Sequence, residues 1–181
     1  ALDKLIAALG KTGTFAVDLE TDSLDALAAN IVGLSFCIDE GKAFYIPVGH
    51  RERTQLSFDT VSEKLRPVLA DATKAKVTHN GKYDSTVLIE NGIDIDNLSF
   101  DTMIAAYLLG EKSLGLKALA FNRLGIEMTP ITSLIGTGAK QKTFDNVTIS
   151  DAAPYACADA DMTLRLAHIF EKELKEQGLW K

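Results

Sequence analysis

The sequence predicts an α/β fold in which helices flank a mixed sheet. Two observations support this prediction. The spacing of apolar residues changes along the chain from the short runs of strands to the longer period of helices, and most of the helical segments follow the first strands instead of alternating with them. With 181 residues, 46% of them hydrophobic and 24% charged, the chain is long enough to bury a substantial core. We therefore predict a single domain over residues 1–181.

The N-terminal part of the chain predicts one helix and three strands. Residues 3–9 form a short amphipathic segment, and TFAVDLET (14–21) is an apolar run rich in β-forming residues. Two further apolar runs, 30–38 and 42–49, are separated by Asp39-Glu40-Gly41, a short turn containing glycine. Such a pair is typical of a β-hairpin. Three successive antiparallel strands are therefore expected.

From Ser57 onwards the apolar period is mostly helical. The predicted elements are a helix at 57–71, a strand at 75–80, and helices at 81–92, 102–110 (capped by Asp101), 113–125 and 151–177 (capped by Ser150, with Pro154 in its first turn). The segment 129–147 is rich in Gly, Thr and Lys, so we predict a mobile surface loop there, with about one helical turn. The order β-β-β-α-β-α followed by helices predicts that parallel strands extend the antiparallel part of the sheet.

The sequence excludes several classes of protein. No apolar run approaches the roughly 20 residues of a membrane helix, and ALDKLIAALG lacks the basic start and cleavage pattern of a signal peptide. Cys37 and Cys157 do not make a disulfide framework or a metal-binding pair. A glycine-rich phosphate loop is also absent. We expect a cytoplasmic protein with no membrane contact.

The net charge of −6 argues mildly against a protein that coats nucleic acid. That argument is weak if the acids bind divalent cations, because such ions reverse the local field. The overall charge therefore does not decide the function.

Two acids stand out on the first predicted strand. Asp18 and Glu20 are two residues apart, so their side chains point to the same face of the sheet. Burying both would be costly unless a cation met them, and Mg²⁺ and Mn²⁺ prefer carboxylate oxygens. An edge strand with a solvated face is the alternative, and this pair alone does not decide between the two.

Two further pairs have helical spacing. Asn80 and Asp84 are four residues apart at the start of a predicted helix, and Tyr155 and Asp159 have the same spacing on the last helix. Taken alone, the first pair is more typical of a helix cap with a surface acid, and the second of an ordinary amphipathic helix. Only the combination of all three pairs favours a shared site.

In this order, Asp-x-Glu, Asn-x-x-x-Asp and Tyr-x-x-x-Asp resemble the DEDDy family of 3′→5′ exonucleases. The stretches VDLETDSLD, NGKYD, FDTMIAAYLL and YACADADMTLRL closely resemble the proofreading exonuclease domain of bacterial family A DNA polymerases. The similarity extends from about Leu2 to Leu179. It implies a ribonuclease-H-like fold and a hydrolase that releases 5′-mononucleotides from the 3′ end of DNA.

The resemblance also implies the catalytic residues and the cofactors. Two divalent metal ions are expected, Mg²⁺ or Mn²⁺, with Zn²⁺ as a further candidate at the first site. Asp18, Glu20 and Asp159 would bind the first ion, while Asp18 would bridge to the second ion, on which Asp84 acts. Such ions stabilise the attacking and the leaving oxygen. Tyr155, together with Glu20, would orient the attacking water.

For the substrate, the resemblance implies the 3′ end of single-stranded or frayed DNA. Leu24 would wedge against the terminal bases, and Thr21, Asn80 and Tyr83 would contact the last nucleotides. The family usually has an aromatic residue near Ile131, where this chain offers an aliphatic surface instead.

A polymerase domain in a longer parent chain is the expected partner, with a role in proofreading during DNA replication and repair at the nucleoid. The absence of an initiator Met favours an excised domain over a stand-alone nuclease. Two alternatives stay open: an exoribonuclease of the ribonuclease D kind, and a non-catalytic domain that keeps the fold as a structural spacer. The NGKYD and FDTM stretches argue against the first, and the presence of all four acids argues against the second.

Overall fold

The computed structural model describes residues 1–52 and 54–180; the predicted domain of 1–181 also contains Arg53 and Lys181, which lie outside the described residues. A five-stranded sheet has the order β3-β2-β1-β4-β5. Its strands are β1 Thr14–Thr21, β2 Ile31–Asp39, β3 Lys42–Pro47, β4 Ala75–Thr78 and β5 Leu98–Asp101. The first three strands are antiparallel, and β4 and β5 are added in parallel. The predicted mixed sheet is therefore confirmed.

Helices cover the sheet on both faces. They are α1 Leu2–Lys11, α2 Phe58–Leu69, α3 Gly81–Glu90, α4 Thr102–Leu108, α5 Leu116–Leu119, α6 Thr132–Ile135 and α7 Ile149–Glu176. A π-helical segment, Ala120–Leu124, continues α5, and short 3₁₀ turns lie at Gly138–Lys140 and Phe144–Asn146. Within the described residues, no helix combines the length and the apolar character needed to cross a bilayer.

The central strand β1 separates two apolar layers. Phe15, Val17 and Leu19 are buried in the main core, which also contains apolar side chains of α1, α2 and α3. The neighbouring residue Ala16 packs on the opposite face against Ala160 and other side chains of α7. Because side chains alternate along a strand, Asp18 and Glu20 lie on the face that α7 covers.

Two details of the sequence prediction are wrong. The strand β5 was not predicted, since four residues are too short to show a period; it forms because Leu98 and Phe100 pair with β4. The last helix begins at Ile149 with Thr148 as its cap, because the Thr148 side chain accepts a hydrogen bond from the Asp151 amide. Ser150 consequently lies inside the first turn, and Pro154 lies in the second turn, not in the first.

The segment 129–147 contains more regular secondary structure than the predicted loop. It contains α6 and the two 3₁₀ turns, and its last part is anchored by Phe144 and Val147, which are buried together with Tyr155 of α7. All side chains of residues 129–143 are exposed or only partly buried, as a surface segment requires. The buried end places this segment against the face of the sheet that carries Asp18 and Glu20.

Candidate active site

Three elements bring four carboxylates together. Asp18 and Glu20 come from β1, Asp159 from the middle of α7, and Asp84 from the first turn of α3. One carboxylate oxygen from each of Asp18, Glu20 and Asp159 lies within 4.8 Å of the others. Glu20, Asp84 and Asp159 are buried, and Asp18 is partly exposed. These four side chains are called the carboxylate cluster below.

The strand β2 leaves room for a tyrosine beside this cluster. Glu20 pairs with Gly33, where an added Cβ would lie 2.0 Å from the hydroxyl oxygen of Tyr45. Any side chain at position 33 would therefore displace Tyr45. The Tyr45 hydroxyl lies 2.7 Å from Nε2 of the buried His50, whose Nδ1 lies 2.8 Å from the carbonyl oxygen of Val147. A carbonyl oxygen only accepts, so Nδ1 carries the proton, and in the neutral ring Nε2 accepts from Tyr45. This chain of hydrogen bonds connects β3 to the start of α7.

A single carboxylate fixes the start of α3. The side chain of Asp101 accepts from the amides of Asn80 (3.1 Å) and Gly81 (2.8 Å), and also from the amide of Met103 in α4 (2.8 Å). The predicted helix cap is confirmed, but Asp101 caps two helices and not one. It thereby positions the first turn of α3, which carries Tyr83 and Asp84.

On α7, Tyr155 and Asp159 project together, as their spacing predicts, and a lysine that the sequence did not indicate joins them. Nζ of Lys117, on α5, lies 3.0 Å from Oδ1 and 3.3 Å from Oδ2 of Asp159. It also lies 4.3 Å from the centre of the Tyr155 ring. No motif signals this contact, because a lysine on a short amphipathic helix is usually solvated.

Burial and mutual repulsion destabilise the charged forms of the acids in the carboxylate cluster. Burial raises the pKa of Asp18 and Glu20 well above the usual range, and the repulsion among the cluster's own carboxylates raises both further. Burial likewise raises the pKa of Asp84, with Asp18 as the next cause, and that of Asp159, where Lys117 acts in the opposite direction. Burial also raises the pKa of Tyr155, so its hydroxyl stays protonated at neutral pH.

The cluster fits a divalent metal ion. Within the part of the chain that the structure describes, Oδ2 of Asp84 is a buried oxygen without a hydrogen-bond partner. Converging carboxylate oxygens are the ligands that Mg²⁺ and Mn²⁺ prefer, and a cation would offset the cost of burying them. The donor set is thus suited to such ions.

A groove of about 650 Å³ leads to the cluster, with Glu20 among its lining residues. Four of the five residues predicted to bind substrate also line it, namely Thr21, Leu24, Tyr83 and Ile131. The Thr21 and Tyr83 hydroxyls lie 2.6 Å apart and join β1 to α3 across the groove. Asn80 does not line the groove; it lies exposed before α3 with a left-handed backbone (φ 67°).

Known proteins share both the sequence and the fold. The sequence model of a family described as 3′–5′ exonuclease matches residues 1–175. The DNA polymerase I of Chloroflexus aurantiacus is 42% identical over 179 residues, which are 98% of this chain and 19% of the polymerase. The chain therefore spans about a fifth of the length of such relatives.

Among solved structures, ribonuclease D of Escherichia coli superimposes with a TM-score of 0.72 over 98% of this chain and 44% of its own, at 18% identity. NrnC of Brucella melitensis, solved with bound Mg²⁺, superimposes with a TM-score of 0.68 over 93% of this chain and 76% of its own, at 19% identity. Both likenesses show a shared fold, which agrees with the predicted ribonuclease-H-like architecture.

Proposed function

The chain belongs to the 3′–5′ exonuclease family that bacterial DNA polymerase I contains, and from that premise we propose that it hydrolyses the terminal phosphodiester at the 3′ end of single-stranded or frayed DNA. The observation that carries the proposal is the convergence of Asp18, Glu20 and Asp159, whose oxygens lie within 4.8 Å of one another. Family membership supplies the class of reaction, and the carboxylate cluster supplies a place for it.

Two divalent ions, Mg²⁺ or Mn²⁺, are the proposed cofactors, with Zn²⁺ as a candidate at the first site. Asp18, Glu20 and Asp159 would hold the first ion, and Asp18 with Asp84 would hold the second. When bound, such ions activate water and stabilise the departing 3′ oxygen. The buried, unpartnered Oδ2 of Asp84 supports this assignment, and so does the bound Mg²⁺ of NrnC, which shares the fold.

Tyr155 acts in this proposal as an orienting group. Its burial keeps the hydroxyl protonated, so it is unsuited to accept a proton at neutral pH and suited to donate a hydrogen bond. With Glu20 it would hold the attacking water in line with the phosphorus. Positioning of this kind contributes through geometry, so its loss should slow the reaction less than the loss of a metal ligand.

The groove accommodates the last nucleotides. Leu24 is 98% exposed at its rim, so its apolar side chain is free to wedge against the terminal bases. Thr21, Tyr83 and Ile131 line the same groove and would contact the terminal nucleotides, as would Asn80, which directly precedes α3. With a net charge of −6, we expect weak, salt-sensitive binding unless another domain delivers the DNA.

That other domain is the proposed partner. Because the chain spans about a fifth of its polymerase relatives, we propose that a polymerase region in a longer chain passes mispaired 3′ ends to this groove. Proofreading in replication and repair, in the cytoplasm beside the nucleoid, follows from that arrangement.

Digestion of a 5′-labelled single-stranded DNA tests the proposal. We expect a ladder of shortened products with Mg²⁺, none with EDTA, and none from Asp18→Ala, while Asp94→Ala, a change at an exposed acid, cleaves normally. Turnover by Asp18→Ala in Mg²⁺ would refute the metal assignment. A matched RNA that is degraded faster than the DNA would instead indicate an exoribonuclease of the ribonuclease D kind. If neither is cut and metal titration shows no binding, the domain is a structural spacer.

A further inference from the structure

Lys117 is the cation that the described residues place in contact with the carboxylate cluster. We propose that it is an internal counter-cation, which the first metal ion displaces from Asp159 and which then becomes available to the scissile phosphate. This inference rests on the proposed function, because it concerns how the same site exchanges one cation for another.

The contacts show that Lys117 occupies positions a metal would need. Its ammonium group is within 3.3 Å of both carboxylate oxygens of Asp159, and Asp159 is one of the three acids whose oxygens converge. A lone pair that accepts a hydrogen bond from an ammonium group is not free to coordinate a metal ion. Each carboxylate oxygen keeps a second lone pair, so it is chiefly the positive charge of Lys117, 3.0 Å and 3.3 Å from these oxygens, that opposes entry of the ion and favours release of the lysine.

The side chain is built to move while its backbone stays fixed. Its neighbours Leu116 and Leu119 on α5 are buried in the apolar cluster beneath α7, so the backbone is anchored. The lysine side chain itself is 29% exposed, and a four-carbon stem with a rotatable ammonium group can adopt several directions. The face of the Tyr155 ring, 4.3 Å away, provides a favourable surface along which the ammonium group can move.

Counting charges suggests what Lys117 meets after its release. The cluster contributes four negative charges, and two divalent ions would neutralise all four. The positive charge of Lys117 then lacks a partner within the site, and a phosphodiester brings one negative charge to the same place. Lysine is a common phosphate ligand because its ammonium group acts as a mobile point charge. The scissile phosphate is therefore the anion that Lys117 would contact.

Metal titration of Lys117→Met tests the first step. Binding of Mn²⁺ to the whole chain is to be followed by electron paramagnetic resonance and calorimetry in the absence of DNA. Removing the competing cation should tighten the first Mn²⁺ site by about tenfold, a difference of about 1.4 kcal/mol. Lys117→Arg, which keeps the charge, should bind within about twofold of the parent. Lys112→Met removes the same charge from an exposed position nearby and should also change affinity by less than about twofold.

The second step is tested by activity at saturating metal. Lys117→Met should need less Mn²⁺ for half-maximal cleavage and yet reach a lower maximal rate, by roughly tenfold, because the phosphate loses its contact. Equal or weaker Mn²⁺ binding by Lys117→Met would overturn the counter-cation role. Tighter binding with an unchanged maximal rate would overturn the phosphate contact.

Two controls keep these outcomes distinct. If the parent chain itself binds no Mn²⁺, the proposed function fails, and not only the role of Lys117. Without the ammonium group of Lys117, the metal-free Lys117→Met variant should melt at a lower temperature than the parent. Circular dichroism therefore verifies that this variant is folded before it is titrated. If that variant does not fold, Lys117→Gln is titrated instead, with the same expected tightening.

Discussion

Replacing Asp18 by asparagine should stabilise the metal-free protein while it abolishes catalysis. Asp18 lies on the central strand, and its carboxylate is surrounded by those of Glu20 and Asp159. Asparagine has nearly the same shape without the charge, so the substitution removes the like-charge repulsion together with the smaller attraction of Lys117. A stabilising change at a residue proposed as essential would indicate that the site is built for a cation.

The structure sets the size of this effect. Unit charges repel by about 3.5 kcal/mol at 4.8 Å, the upper limit of these separations, at an effective dielectric constant of about 20, so Glu20 and Asp159 together contribute at least about 7 kcal/mol when all three acids are ionised. The repulsion cannot exceed the free energy needed to protonate one of the carboxylates instead. For a carboxyl group of ordinary pKa, that cost is about 5 kcal/mol at pH 7.5. The attraction of Lys117 reduces the repulsion further. We expect Asp18→Asn to raise the free energy of unfolding by about 2 kcal/mol, or roughly 4–8 °C in Tm.

The effect should depend on pH in a defined direction. The pKa of Asp18 is raised in the folded protein by burial and by the neighbouring Asp159. A group of this kind stabilises the fold below its unfolded pKa, near 4, and that contribution is lost as the pH rises through the raised folded value. In EDTA, the parent and Asp18→Asn should therefore unfold alike near pH 4. They should diverge as the pH approaches 7.5.

Urea and thermal denaturation in EDTA provide the measurement, with Asp94→Asn as the matched change at an exposed acid. Adding Mg²⁺ should then raise the melting temperature of the parent, since a ligand bound only by the folded state stabilises it, and raise that of Asp18→Asn much less. The reasoning is refuted if Asp18→Asn unfolds at a lower urea concentration than the parent at pH 7.5 in EDTA.

Three further substitutions test separate parts of the site. Tyr155→Phe keeps the ring that Lys117 contacts and loses only the hydroxyl, so single-turnover cleavage should slow by roughly ten- to a hundredfold, while Asp159→Ala should leave no measurable cleavage. Leu24→Ala changes a side chain that is 98% exposed, so the free energy of unfolding of this variant should stay within about 0.5 kcal/mol of the parent. Its KM for single-stranded DNA should rise severalfold. Asp101→Ala leaves two helix starts uncapped and should cost about 2 kcal/mol in urea denaturation, with a partial recovery in Asp101→Asn.

Elements with a strong local pattern could be predicted from the sequence, and elements that depend on distant partners could not. The apolar, β-forming run TFAVDLET gives the bounds of β1, Thr14–Thr21, directly. The strand β5 exists only through its pairing with β4, so four residues of sequence cannot indicate it. Thr148 and Ser150 are both good helix caps, and the hydrogen bond to the Asp151 amide decides between them.

The residues of the candidate site divide in the same way, into those that local spacing indicates and those that depend on distant contacts. Spacing alone places Asp18 with Glu20, and Tyr155 with Asp159, on common faces, because strand and helix periods are local properties. The requirement for glycine at position 33 depends on Tyr45, which comes from the next strand and fills that space. Lys117 reaches Asp159 from 42 positions away in the sequence, and a lone lysine has no spacing that could signal such a contact.

The residues that the chemistry needs can therefore be identified from the sequence, whereas the residues that hold them in place cannot. A buried group of like charges opposes folding, so each acid must be held in place by neighbouring groups. Asp101 fixes the helix start that carries Asp84, the hydrogen bonds from Tyr45 through His50 connect β3 to the start of α7, and Lys117 offsets part of the charge on Asp159. These supports are interchangeable in chemical type, since another donor, acceptor or cation could do the same. The carboxylates are not interchangeable, because oxygen ligands for a divalent ion allow few substitutes. A short motif can therefore identify the acids, while their supports become visible only in the folded chain.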